Sequence, residues 1–145
     1  MVQSIATNVK RVIIARMEKG EDILKTIEVV ASNHGVKTGQ LTLIGAIEGA
    51  HLGYFNTHSL EYVDFTVEED LEVVSCMGDI TTLDDGSLVV HAHLIAADEK
   101  GTCYGGHLLQ GCKVSVTIEL VIFETEDEIK RARDDRTGLN LMDIK

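Results

Sequence analysis

Proline is absent from the 145 residues, although average usage of about 5% would give roughly seven. That excludes any Pro-rich linker. Cysteine is scarce and odd in number, at three. The first residues, MVQSIATNVKRVII, lack the basic, apolar and small-residue blocks of an export signal, so a disulfide framework is not expected. No apolar run approaches the roughly 20 residues needed to cross a bilayer as a helix, and the expected location is the cytoplasm. Positive charge is also short, with 13 Lys and Arg against 24 Asp and Glu, a net charge of −11. Between Lys37 and Lys100 there is no base at all, while residues 38–99 carry 12 acids. Such a stretch attracts cations and repels phosphate, so nucleic-acid binding through the middle of the chain starts at a disadvantage.

What is present suits one folded domain, with 44% apolar and 26% charged residues. The expected organisation is a single domain over 1–145, with a core over about 8–123 and a carboxyl-terminal arm, 124–145, packing on it. Residues 8–17 form a β-rich run. A helix is predicted from about Glu21 to His34. Ile23, Leu24, Ile27, Val30 and Ala31 recur at helical spacing, acids open the first turn and Gly35 suits the stop. His34 reads as a cation at the negative helix end. From residue 40 onward the pattern is strand. The candidates are 40–48, 50–57, 61–67, 71–82, 87–97, 102–109 and 113–123, with turns at Asp84-Asp85-Gly86 and Glu99-Lys100-Gly101. One helix with several antiparallel strands predicts an α+β fold. Residues 124–136 read as a short helix or an exposed arm of mixed charge. The apolar end, Leu139, Leu141, Met142 and Ile144, is expected to dock.

The chemistry concentrates in residues 86–111, GSLVVHAHLIAADEKGTCYGGHLLQG. His91 and His93 lie two apart in a strand and so share a face. A lone pair of this kind says little. The following turn says more, because Asp98 through Thr102 fits a three-residue loop with Gly101 in the left-handed region. Paired residue numbers then sum to 200, His93 faces His107, and His91 lies diagonally within reach. A two- or four-residue loop would turn His107 to the other face. Three neutral imidazoles suit Zn²⁺ with a fourth position left for water or another ligand. Iron, nickel and cobalt accept the same ligand type. If Asp85-Gly86 is a two-residue turn, Gly78 lies opposite His93 and leaves space beside the ring. Cys103 shares the face of His107 but sits about 13 Å along the strand. Cys76 and Cys112 read as small core residues, and His51 and His58 have no partner spacing. Gly45, Gly49 and Gly53 read as strand bends or tight packing. No nucleophile elbow, phosphate loop or dinucleotide fingerprint is present.

Several pieces in order resemble the plant-and-prokaryote-conserved (PPC) domain. They are Arg16 with Gly20-Glu21-Asp22, Gly45-Ala46, Glu72 through Ser75 with Gly78, Asp85-Gly86, His91-Ala92-His93, Gly105-Gly106-His107-Leu108, Gly111 and Glu119. The tail residues Arg133, Thr137-Gly138 and Leu141 resemble free-standing members. The resemblance implies an α+β subunit with a strongly bent, mainly antiparallel sheet, one main helix and assembly into a homotrimer. It also implies that His91, His93 and His107 can hold a metal. In plants the domain follows AT-hooks. This chain lacks the hook, whose core needs proline, and lacks a basic extension, so a DNA-binding role rests on fold-level analogy.

Three functions follow as expectations. The first is a metal-binding trimer, zinc being the favoured ion, with a regulatory or DNA-associated role. Its basic patches would be Lys10, Arg11 and Arg16, or Lys130, Arg131, Arg133 and Arg136, the last four reading as a solvated helix. The second is a metal-dependent enzyme acting on a small molecule, with Glu48, Glu72 and Glu119 as loose candidates for a general base. The third is a trimer whose metal is structural and whose sheet edge binds another protein. A cupin-like reading of the His-x-His hairpin fits poorly. The glycine and glutamate spacings are off, and the second motif needs a proline.

Overall fold

In the chain as folded, β-branched and alternating segments become strands and the one amphipathic stretch becomes a helix. The computed structural model describes residues 2–144. In chain order they form β1 (Val9–Glu18), α1 (Ile23–Asn33), β2 (Gly39–Ile47), β3 (Ala50–Asn56), β4 (Glu61–Val67), β5 (Leu71–Thr82), β6 (Leu88–Ala97), β7 (Cys103–Leu108), β8 (Val114–Thr125), β9 (Lys130–Arg133) and β10 (Asn140–Asp143). The strands join one open sheet in the order β1-β8-β2-β5-β6-β7-β3-β4, with β9 and β10 attached at the end of β5. Among the described residues every strand pairing is antiparallel except the parallel bridge Thr82–Lys130. This is a single α+β domain.

Helix α1 lies against one face of the sheet, touching β6 and β1. It buries Ile23, Ile27 and Ala31 among Leu41, Leu94 and Leu120. A fully buried isoleucine contributes roughly 1.5–3 kcal/mol, so the inward stripe rather than intrinsic propensity holds the helix in place. Among the described residues no helix covers the opposite sheet face. Its geometry is shaped by register shifts in β2 and β5. At Gly45 the backbone takes φ 144°, and a Cβ there would stand 2.1 Å from the Thr117 carbonyl oxygen. Close approach of two strands accounts for that glycine.

Three expectations are corrected. The helix is shorter than 21–34, because Glu21 and Asp22 precede it rather than fill its first turn. Asp22 is the N-cap, accepting from Lys25 N–H. His34 is the C-cap and Gly35 turns out of the helix at φ 66°. The β5–β6 hairpin has a three-residue loop, not a two-residue turn. Leu83 N–H donates to the Ser87 carbonyl and Gly86 N–H to the Leu83 carbonyl, with Gly86 at φ 84°. Consequently Met77, not Gly78, faces His93, and Asp79 faces His91. No space is left at Gly78, where a Cβ would meet the His91 carbonyl oxygen at 2.3 Å. Finally, residues 124–136 form neither a helix nor a free arm. β8 runs on to Thr125, and the tail folds back as the β9–β10 hairpin on β5. Helical spacing is missing from KRAR, and Arg131 points inward to polar partners on β5.

Candidate metal centre

The β6–β7 turn sets the site. Asp98 N–H donates to the Thr102 carbonyl at 3.0 Å, and Gly101 takes φ 81°. Asp98 Oδ1 also accepts from the backbone N–H of Lys100 and Thr102, an Asx turn that fixes the loop at three residues. From there the register runs Ala97–Cys103 through His93–His107, as the sum of 200 requires. His91, His93 and His107 therefore emerge on one sheet face. Their ring centroids stand 5.1 Å (His91–His93), 5.2 Å (His91–His107) and 5.6 Å (His93–His107) apart. One nitrogen from each lies within 4.8 Å of the others. Zn–N bonds of about 2.0–2.1 Å in a tetrahedron would bring these atoms to roughly 3.3 Å, a change that ring rotations can supply.

The donor chemistry fits a cation. His107 Nδ1 is buried and has no hydrogen-bond partner among the described residues, and a buried polar atom left in this way is costly unless something else satisfies it. Burial, then the nearby His91, His93 and Arg131, pushes the His107 pKa down to about 4. Burial and His91 also lower that of His93. Rings held neutral at ordinary pH offer lone pairs without first losing a proton.

Sequence reasoning missed three neighbours. Asp79, the cross-strand partner of His91, places Oδ2 3.6 Å from His91 Nδ1. Burial opposes the Asp79 charge, but His91 and Arg131 outweigh it and hold its carboxyl below the usual range. Arg131 donates to Asp79 Oδ1 at 2.6 Å. Tyr62 of β4 places its ring 5.2 Å from that of His107. It reaches there across Gly53, where a Cβ would come within 3.3 Å of the tyrosine. A cavity of about 500 Å³ opens beside the histidines, lined by His91, His93, Gln40, Met77, Ile129 and Met142 among others.

Other candidates lie elsewhere. Cys103 is exposed at the far end of β7, while Cys76 and Cys112 are buried; all three are free thiols. His51 donates from Nε2 to Asp64 and from Nδ1 to the Gln110 carbonyl, both at 2.7 Å. His58 sits in the β3–β4 turn, its N–H bonded to Asn56. Glu48 and Glu72 line a different cavity, and Glu119 lies across the sheet beside Arg16. The basic residues are largely matched. Lys10 and Arg11 both pair with Glu124, Arg16 with Glu18, Lys130 with Asp84 and Arg136 with Asp134.

Residues 4–126 match the family model of the Plants and Prokaryotes Conserved (PCC) domain. A metal-containing protein from Archaeoglobus fulgidus shares this structure at a TM-score of 0.89 and 28% identity, covering 97% of this chain and 99% of that one. A candidate DNA-binding protein from Bacteroides thetaiotaomicron shares the fold at a TM-score of 0.88 and 24% identity, over 96% of each chain. Among curated sequences, the bifunctional protein GlmU of a Synechococcus strain is 30% identical over 138 residues. The alignment takes in 94% of this chain but 21% of that protein, so this chain spans about a fifth of its curated relative.

Proposed function

The chain belongs to the Plants and Prokaryotes Conserved domain family, and from that premise we propose that it is a divalent-metal-binding module assembling as a homotrimer. His91, His93 and His107 are the ligands and zinc is the ion. The convergence of three imidazoles, one with a buried and unpartnered nitrogen, carries this reading. The acidic middle of the chain draws a dication toward the site. Three free thiols suit a reducing, cytoplasmic setting. Zinc with three histidines keeps a fourth position for water or another ligand. The chain's own part is to hold His93 and His107 neutral, to aim the three rings at one point and to set Tyr62 beside His107.

A regulatory, DNA-associated role follows from the family resemblance, and one structural relative is described as a candidate DNA-binding protein. Here it is at most a weak and salt-sensitive association. Net charge is −11, and the basic side chains of both ends are mostly paired with acids. Few are left to neutralise phosphates. The cavity beside His91 and His93 favours a second reading, metal-assisted chemistry on a small molecule. None of Glu48, Glu72 and Glu119 lines it, so a general base would have to come from elsewhere.

The test is metal analysis of untagged protein, wild type beside His107→Ala. The expected result is close to one zinc per chain in the wild type and loss in the variant. Equal metal in both would overturn the reading. DNA retention across a salt series and turnover before and after chelation separate the two roles.

A further inference from the structure

Arg131 sits in β9, beyond the family-matched residues 4–126. Its side chain is 7% exposed. A guanidinium taken out of water needs partners for its donors, and each of its three nitrogens finds one. Nε donates to Thr81 Oγ1 at 2.7 Å, one terminal nitrogen to the Asn140 carbonyl at 2.9 Å, and the other to Asp79 Oδ1 at 2.6 Å. The arginine thus ties together β5, β9 and β10. A staple for the tail would need no more than this.

The second oxygen of Asp79 adds something a staple does not require. It faces His91 Nδ1 at 3.6 Å, about half an ångström beyond hydrogen-bond range. A carboxylate on one ring nitrogen fixes the tautomer, leaving the lone pair on the other nitrogen for a metal. Ile129, just before β9, and Met142, on β10, also line the cavity that holds His91 and His93. Two independent features therefore join the tail to the site.

We infer that the carboxyl-terminal hairpin is a working part of the metal centre: Arg131 holds Asp79, Asp79 fixes the ring of His91, and docking of the hairpin and metal affinity form one coupled equilibrium. Both are positioning residues. The inference rests on the metal reading above. Because coupling is reciprocal, metal should tighten the hairpin as much as the hairpin tightens metal.

The experiment measures zinc affinity by competition with a chromophoric chelator, using intact wild type, Asp79→Asn, Arg131→Lys, the double variant and His107→Ala. Asp79→Asn is expected to bind about 10–100-fold more weakly, the range for loss of such a partner. Arg131→Lys keeps the cation but loses the fork, and is expected to weaken binding in the same direction. It also serves as the readable variant should Asp79→Asn fail to fold. The double variant should be no weaker than Asp79→Asn, since both act along one path. Zinc should slow amide exchange in residues 130–133 and 140–143 of the wild type and not of Asp79→Asn. Nitrogen NMR of the His91 ring should show a fixed Nδ1–H tautomer that Asp79→Asn loses, a signature that a merely structural role would not move. Wild type and both single variants binding zinc alike, with hairpin exchange indifferent to zinc, would overturn this inference and leave the metal reading standing. A wild type that binds no more zinc than His107→Ala would overturn both.

Discussion

Two histidines of this chain are driven in opposite directions by what surrounds them. His51 donates from both ring nitrogens, to Asp64 and to the Gln110 carbonyl, which only the protonated ring can do. The bond to Asp64, then that to Gln110, raises its pKa above 6.5. His107 is pushed down to about 4, by burial first and then by neighbouring charge. The consequences for stability differ in sign. His107 binds its proton more readily in the unfolded chain, so its contribution is complete above about 6.5 and is lost as pH falls toward about 4. His51 binds its proton more readily when folded. Its contribution is complete below about 6.5 and is lost as pH rises through the folded value. In chelator-treated protein, proton NMR of the ring signals should therefore show His51 titrating above 6.5 and His107 well below it. Asp64→Asn should bring His51 back down. A His51 midpoint at or below 6.5 would contradict the pairing.

At the scale of elements, the β5–β6–β7 meander decides everything about the site, and its glycines test it. Gly101 stands at φ 81° with nothing near a would-be Cβ. Gly101→Ala should cost only the left-handed strain, about 1–2 kcal/mol. Gly78 has no left-handed φ, but its Cβ would stand 2.3 Å from the His91 carbonyl oxygen and 2.6 Å from Ala92 Cβ. Overpacking against backbone costs about 1–3 kcal/mol or more. It would also part the strands where Asp79 meets His91. In urea melts Gly78→Ala should lose at least as much stability as Gly101→Ala, and it alone should release zinc. Equal zinc retention by both would contradict this geometry. These two loops also show what could be read from sequence. Glu99-Lys100-Gly101 placed the three histidines correctly, because Asp98 and Thr102 bracket one loop length. Asp84-Asp85-Gly86 did not. Asp-Gly serves equally as a two-residue turn and as the end of a three-residue loop, and only the Leu83–Ser87 backbone pair distinguishes them. That slip of one residue hid Asp79, since a single step in register exchanges the faces. Arg131 was hidden for another reason. Among neighbouring acids it read as solvated, and its side-chain partners, Thr81 and Asp79, lie some fifty residues away in β5. Tyr62 reaches His107 only because β3 lies between β4 and β7 in the sheet, an order that no local pattern specifies.

Across the whole molecule, the histidines share their sheet face with apolar side chains that the described residues leave exposed. Following the registers outward, His107 leads to His93, Met77, Thr42, Val121 and Ile14, all on the face away from α1. Ile14 is 79% exposed, and Val12, Ile44, Met77 and Ile95 are also exposed. Scattered apolar side chains need no explanation, but a contiguous patch on one face is characteristic of an interface. A second copy of the chain is the occupant that the proposed trimer supplies, and such an interface can close on itself around a threefold axis. Sedimentation should then give about 48 kDa, three times the 15.9 kDa chain. Glutamate at positions 14 and 44 would cost the isolated chain little, because both side chains already face water. In an assembly it would bury charges without partners. The Ile14→Glu/Ile44→Glu double variant should therefore move toward the mass of one chain with its circular dichroism unchanged. A wild type that sediments as a single chain would remove the trimer from the proposal. A variant that stays trimeric would place the interface elsewhere, at a sheet edge such as β1 or β4.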